Sequence, residues 1–284
     1  MPEVRLLLGD CRDVLLSLDS QSIDAVITDP PYPEIDRAYG RLTEEEWWDL
    51  MMAVVVQVRR VLSPTGSAVF ILQPNSKHVG SMRPWLWRFM LWVCEHWNMV
   101  QDVWWWNPAA FPMVHCHRDM GLMRPSVKAC VWCGASSCWR EQAAVLWAQA
   151  KSSRARSRDD WTLRYNPSGA HNRVGRALAT ADARGGVTPF NLLPVPNTDS
   201  THSAGANGHG AGTPQELCRW WVRYLCPPGG VVLDPFQGTG TVGMAAVREG
   251  CGYVGIEKVF DYHTIAQKRL LHVDQPLPFG VGGG

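Results

Sequence analysis

Short apolar runs alternate along this chain with longer stretches whose apolar positions recur at helical spacing. The runs at 4–8, 23–28, 67–73, 99–106 and 125–132 each predict a strand. Helices are predicted at 11–18, 43–62, 84–97 and 140–150. The second of these opens on a capping box, Thr43-x-x-Glu46, and stops at Ser63-Pro64-Thr65-Gly66. Periodicity fades from 151 to 211, where Gly, Ser, Asn, Thr and Arg dominate. It then resumes as a helix at 214–225, a strand at 231–234, a helix at 239–250, a strand at 251–257 and a closing helix at 259–272. The aromatic stretch 85–106 contains Arg88, Glu95, His96, Asn98 and Asp102, so it reads as a buried helix followed by a strand. Strands alternating with helices predict an α/β fold with a doubly wound, mostly parallel sheet.

Two features of composition narrow the picture. The chain has 284 residues and a formal net charge of +1. That length suits a single catalytic domain with an insertion, and the charge permits a local basic patch but no global polyanion-coating surface. Nine cysteines, an odd number scattered through predicted core elements, point to reduced thiols and a cytoplasmic setting. The start Met1-Pro2-Glu3-Val4-Arg5 leads into a strand and does not read as a secretory signal, and no run is apolar enough to span a membrane.

Asp29-Pro30-Pro31-Tyr32 follows the strand 23–28, at a carboxyl end where open α/β sheets bind ligands. The prolines stiffen the turn and remove amide donors, which leaves the Asp29 carboxylate and the Pro30 carbonyl as adjacent acceptors. Tyr32 adds a flat face. Two acceptors and a stacking surface suit a planar group bearing an –NH2. A turn of this composition is also ordinary punctuation at a strand end, and a second motif decides between the readings. Asp234-Pro235-Phe236-Gln237-Gly238-Thr239-Gly240 links a strand to a helix. Gly238 and Gly240 allow positive φ and close approach of a ligand. The spacing is not the dinucleotide G-x-G-x-x-G, and Asp234 would repel a phosphate but attract an ammonium. The next strand ends in Glu257, where an acid commonly binds ribose hydroxyls. Ammonium site, glycine turn and ribose-binding acid together describe S-adenosylmethionine.

The two motifs, in this order, resemble the β class of the DNA amino-methyltransferases, over 1–110 and 209–272. That resemblance implies a Rossmann-like methyltransferase sheet and methyl transfer from S-adenosylmethionine to the exocyclic N6 of a flipped-out adenine in double-stranded DNA. It makes Asp29, Pro30, Pro31 and Tyr32 catalytic. Asp10, in Leu8-Gly9-Asp10, would contact the cofactor adenine amine, and Phe236 would pack on that adenine. His209 to Pro214 resembles the family's H-x-x-x-K-P segment. Thr213 stands at its lysine position, so no basic role is carried over, although Thr213 is grouped with the cofactor-binding residues Asp10, Asp234, Phe236, Gly238, Gly240 and Glu257. The implied organisation is a catalytic half at 1–110, a variable target-recognition region at 111–208, a cofactor half at 209–276 and a disordered tail at 277–284. The basic loop 151–184 carries Arg154, Arg156, Arg158, Arg164, Arg173 and Arg176 as DNA-binding candidates. A solvated loop is the plain alternative there.

Other readings stay open at this point. Cytosine N4 is the alternative target; Asp29 leans towards adenine, because the cytosine enzymes more often carry serine at that position. An RNA or protein substrate, or a non-catalytic relic, is a further alternative. A cognate restriction endonuclease and a homodimer are the partners the resemblance suggests, with no membrane association. His115, His117, Cys130, Cys133 and Cys138 offer zinc-type donors, but Cys130 falls within a strand where neighbouring side chains alternate faces, so no metal is expected. Tyr32 is expected to act through its ring rather than its hydroxyl.

Overall fold

The computed structural model describes residues 2–109, 121–123, 125–148, 163–165, 171–173, 181, 183–197 and 212–271. The chain divides into two units, Met1–Arg140 with Asn191–Gly284, and Glu141–Phe190.

The larger unit opens with β1 (Val4–Leu8), α1 (Cys11–Val14) with a 3-10 turn at Leu15–Ser17, β2 (Ile23–Thr28), α2 (Glu44–Val61) and β3 (Leu62–Leu72). A small hairpin, β4 (Ser76–His78) and β5 (Ser81–Met82), precedes α3 (Trp85–His96), β6 (Met99–Trp106) and β7 (Val127–Gly134). The smaller unit contributes a 3-10 turn at Gln142–Val145 and an antiparallel pair, β8 (Leu163–Tyr165) and β9 (His171–Arg173). The chain returns to the larger unit as β10 (Leu192–Pro194), α4 (Gln215–Leu225), β11 (Val231–Asp234), α5 (Thr241–Arg248), β12 (Gly252–Glu257) and α6 (Phe260–Leu271).

Eight strands form one sheet in the order β1-β12-β11-β2-β3-β7-β6-β10. Its neighbours pair in parallel except at β7, which runs antiparallel to both β3 and β6. The sheet is therefore mostly parallel, and it takes in β7 and β10 from the span 111–208. The path from β11 through α5 to β12 moves towards one edge, while the path from β2 through α2 to β3 moves towards the other. The switch point lies between β11 and β2, and their carboxyl ends open a crevice there.

Burial explains why these segments take these forms. β2 is buried along nearly its whole length, as a central parallel strand covered on both faces must be. On α2, Trp47, Met51, Val54, Val55, Val58 and Val61 recur at helical spacing and all are buried. The Thr43 hydroxyl accepts from the Glu46 N–H, and the Glu46 carboxylate accepts from the Thr43 N–H, completing the capping box. Against α2 and α3 pack Phe70 and Leu72 of β3 with Ala129, Val131 and Cys133 of β7. The alternate β7 positions face the other way, where Trp132 meets Trp221 of α4 at 6.2 Å between ring centroids.

Three local expectations change. Ser63–Gly66 does not separate α2 from its strand: β3 begins at Leu62, paired with Ile23, and resumes register at Ser67 opposite Ala25 across an irregularity. The helix expected at 140–150 is a single 3-10 turn. Trp147 instead exchanges backbone hydrogen bonds with Val187, at 3.0 and 2.9 Å, so the groups a helix would use are bonded elsewhere. Long-range pairing overrides the helix propensity of Gln-Ala-Ala-Val-Leu. The short strand β10, unmarked by any long apolar run, pairs with β6 through Leu192, Leu193 and Pro194.

Candidate active site

The crevice is a cavity of about 600 Å³. Its wall carries the four residues of the first motif together with Asp10, Thr213, Asp234, Phe236, Gly238 and Glu257. Gly240 is not on that wall. It caps α5 at φ +83, and a Cβ there would lie 3.1 Å from Ala266 of α6, so its work is helix packing rather than ligand approach. Arg154, Arg156, Arg158 and Arg176 lie outside the described residues, as do His115, His117 and the tail 277–284. Arg164 and Arg173 lie in β8 and β9, and only their backbone is described.

The turn after β2 is clamped from beneath. Trp47 Nε1 donates to the Pro31 carbonyl at 2.6 Å, and Asn75 Nδ2 donates to the Pro33 carbonyl at 2.6 Å. Trp85 Nε1 fixes Asn75 in turn at 2.8 Å. The Pro30 carbonyl, just before them in the chain, accepts no hydrogen bond among the described residues. Clamped neighbours with an open carbonyl match a turn held ready for a donor.

Asp29 sits at the centre of a charged cluster. Its Oδ1 accepts from the Tyr32 hydroxyl, and its Oδ2 accepts from Thr213 Oγ1 at 2.5 Å and from Lys128 Nζ at 3.1 Å. Lys128 Nζ also donates to the Tyr32 hydroxyl at 2.9 Å. The ammonium stands between two aromatic faces, 5.3 Å from the Tyr32 centroid and 5.1 Å from that of Trp105. Burial, and then the charge of Asp29, push the Tyr32 phenol well above its ordinary range, so it remains a protonated donor.

This geometry alters two sequence-based expectations. Thr213, grouped with the cofactor residues, bonds to the Asp29 carboxylate. The Tyr32 hydroxyl, expected to be idle, links Asp29 to Lys128. Lys128 itself was not anticipated. Its signal was present as a charged residue inside an otherwise apolar strand, a placement that is rare unless the charge is paired.

The cofactor end is built from β11, β12 and the glycine turn. Thr28 Oγ1 and the Phe236 N–H both donate to Asp234 Oδ1, at 2.6 and 3.1 Å. Burial nevertheless dominates and pushes the Asp234 carboxyl up to about 7. The Glu257 carboxylate accepts from the Gly238 N–H at 2.9 Å and the Val259 N–H at 2.7 Å, and burial raises its pKa as well. Asp10 caps α1 and forms a salt bridge with Arg12 at 2.7 Å, and this hydrogen-bonded partner lowers its pKa. Gly238 adopts φ +52, and a Cβ there would meet nothing within 4 Å, which leaves its backbone open to the cavity. The Gln237 side-chain amide is buried without a hydrogen-bond partner among the described residues. Two acids beside an open glycine turn fit a cationic ligand bearing hydroxyls and disfavour a phosphate.

Among the described residues no group of three or more His, Cys, Asp or Glu is arranged to hold a metal ion. Cys130 is buried on the α4 side of β7, where burial raises its thiol to about 12, while Cys133 lies in the core on the opposite face. No helix among the described residues is long and apolar enough to cross a membrane.

Comparison with known proteins agrees with the geometry. Type II methyltransferase M.PvuII of Proteus hauseri is 25% identical over 281 residues, covering 93% of this chain and 82% of that protein. Type II methyltransferase M.XycI of Xanthomonas campestris pv. cyanopsidis is 28% identical over 280 residues, covering 92% and 86%. The solved structure of PvuII DNA methyltransferase, described as cytosine-N4-specific, superimposes with a TM-score of 0.71 at 21% identity, over 97% of this chain and 88% of that one. The family model for N6/N4 methyltransferases, described as DNA methylase, matches residues 23–268. The chain therefore belongs to the N6/N4 family of DNA methylases.

Proposed function

We propose that this DNA amino-methyltransferase transfers the methyl group of S-adenosylmethionine to the exocyclic N6 of adenine. The observation that carries the reading is Asp29, an acceptor held by Tyr32, Thr213 and Lys128 beside the open Pro30 carbonyl. Asp234, Phe236, Gly238 and Glu257 would hold the cofactor, which supplies an electrophilic methyl on its sulfonium. The residues of the chain then bind, orient and receive a proton.

An exocyclic amine is a weak nucleophile because its lone pair is delocalised into the ring. Asp29 and the Pro30 carbonyl accept its two N–H bonds and favour a pyramidal nitrogen. Positive charge that develops on the nitrogen is stabilised by the Asp29 carboxylate, and the proton leaves through that carboxylate or to water. The stiff turn keeps both acceptors in place, so positioning supplies much of the acceleration. A stacked base in a duplex does not reach this turn, so the target base is flipped out at a cost of a few kcal/mol. Stacking on Tyr32 returns about 1–3 kcal/mol of that.

Cytosine N4 is the second reading, favoured by the likeness to the cytosine-N4-specific PvuII enzyme. Both bases present the same amine-bearing edge to Asp29, and the mechanism is unchanged. The arginines of 151–184 would contact DNA phosphates and bases. The Type II names of the relatives support a cognate restriction endonuclease as a functional partner. Incubation of the purified protein with labelled S-adenosylmethionine and DNA, RNA or protein tests the substrate class. Label in DNA that is lost with Asp29→Ala is the expected result, and label confined to RNA or protein would overturn the reading.

A further inference from the structure

The Lys128 ammonium is more tightly placed than a surface lysine. It lies in β7 directly opposite Trp105, and its side chain is only 15% exposed. Asp29 and the Tyr32 hydroxyl take two of its three N–H bonds. The third has no acceptor among the described residues, and Lys128 lies on the cavity wall beside Asp29. The cavity therefore presents a carboxylate acceptor and an ammonium donor 3.1 Å apart, next to an aromatic face.

We propose that Lys128 reads the target base by donating to its ring nitrogen while Asp29 accepts from the adjacent amine. This rests on the proposed methyl transfer to a flipped base. The acceptor–donor pair complements an amidine edge, N–C–NH2, which adenine presents as N1 and N6 and cytosine as N3 and N4. Guanine and thymine present the reverse pattern on that edge, a ring N–H beside a carbonyl. Their carbonyl would face the Asp29 carboxylate and their N–H would face the Lys128 ammonium, setting acceptor against acceptor and donor against donor. The ring-nitrogen lone pair lies in the plane of the base. The contact therefore fixes the ring without occupying the amine lone pair, which points out of the plane towards the methyl donor. Lys128 thus selects the amidine bases as a class, and the choice between adenine and cytosine falls to the rest of the cavity.

The test uses a duplex oligonucleotide carrying the mapped target site. The target base is replaced by its deaza analogue, 1-deazaadenine or 3-deazacytosine, which keeps the amine and exchanges the ring nitrogen for C–H. The wild-type enzyme is expected to lose about ten- to a hundredfold in kcat/KM on the analogue. Lys128→Met, slow on the normal site, should lose less than about twofold further on the analogue, and Lys128→Arg, which keeps a donor, should retain discrimination. S-adenosylmethionine affinity of both variants, expected within about twofold of wild type, reports whether they fold. An equal loss in wild type and Lys128→Met, or a wild type indifferent to the analogue, overturns the assignment. A structural role for Lys128 would give that equal loss. Absence of any methylated base in DNA would remove the proposed function and this inference together, whereas methylation without sensitivity to the analogue removes only this one.

Discussion

Asp29 is held by three side chains from three parts of the chain, and each contact has a measurable consequence. The Tyr32 hydroxyl donates to Asp29 and accepts from Lys128. Hydrogen bonds to charged groups contribute roughly 1.5–3 kcal/mol each. Tyr32→Phe should therefore lower kcat about ten- to a hundredfold while leaving cofactor affinity within about twofold. Tyr32→Ala should be worse, because the stacking face is lost as well. Single-turnover kinetics of both variants would check this, and a Tyr32→Phe enzyme with wild-type kcat would show that the ring alone acts. At the other end of the crevice, the Asp234 carboxyl stands at about 7 because burial opposes its charge. A cationic cofactor needs that group ionised. Affinity for S-adenosylmethionine should accordingly rise about five- to tenfold from pH 6 to pH 7.5, and Asp234→Asn should bind weakly with little pH dependence. For the ligand-free fold the sign is opposite. A carboxyl raised above its unfolded value contributes stability that is present near pH 4 and lost as pH rises through 7. Titration calorimetry across that range would measure the affinity and urea unfolding without cofactor the stability, and a pH-independent wild-type affinity would contradict the role given to Asp234.

At the scale of elements, the crevice depends on α5 lying close against β12. Gly243 permits this approach, since a Cβ at that position would come within 2.5 Å of the Tyr253 ring. Alanine is the better helix former by about 1 kcal/mol, so Gly243→Ala would stabilise an isolated helix. In this fold it should instead destabilise by about 1–3 kcal/mol through overpacking. Urea unfolding would measure the difference, and equal or greater stability would show that the ring can move aside. The elements themselves were largely legible in the sequence. β2, α2, α4 and β11 carry long periodic or continuous apolar patterns that decide their form locally. The helix expected at 140–150 failed because Trp147 pairs with a residue some forty positions away, information absent from any local window. The candidate site shows the same division. Asp29 and Asp234 announce themselves at strand ends beside proline and glycine. Lys128 was hidden because its meaning depends on the register of β7, which places it opposite Trp105 and on the face of Cys130 and Trp132. A slip of one residue would have turned it to the other side of the sheet.

At the scale of the whole molecule, the sheet order sets what the protein can do. The reversal between β11 and β2 brings the carboxyl ends of two halves, far apart in sequence, into one cavity. Thr28 and Asp234, adjacent across that reversal, join the halves at 2.6 Å. On the proposed function, Asp234 and Glu257 would hold the methyl donor and Asp29 the acceptor, and a near-neutral chain would leave DNA attraction to a local patch. On that proposed function, this cavity methylates the amine of adenine through Asp29. The most direct test is expression of the full chain in a bacterial host that lacks DNA methylation, followed by sequencing that detects modified bases. N6-methyladenine at one recurring sequence, abolished by Asp29→Ala with cofactor binding retained, is the predicted result. N4-methylcytosine at one recurring sequence would keep the mechanism and overturn the base, and unmodified DNA from a folded, cofactor-binding protein would contradict the account.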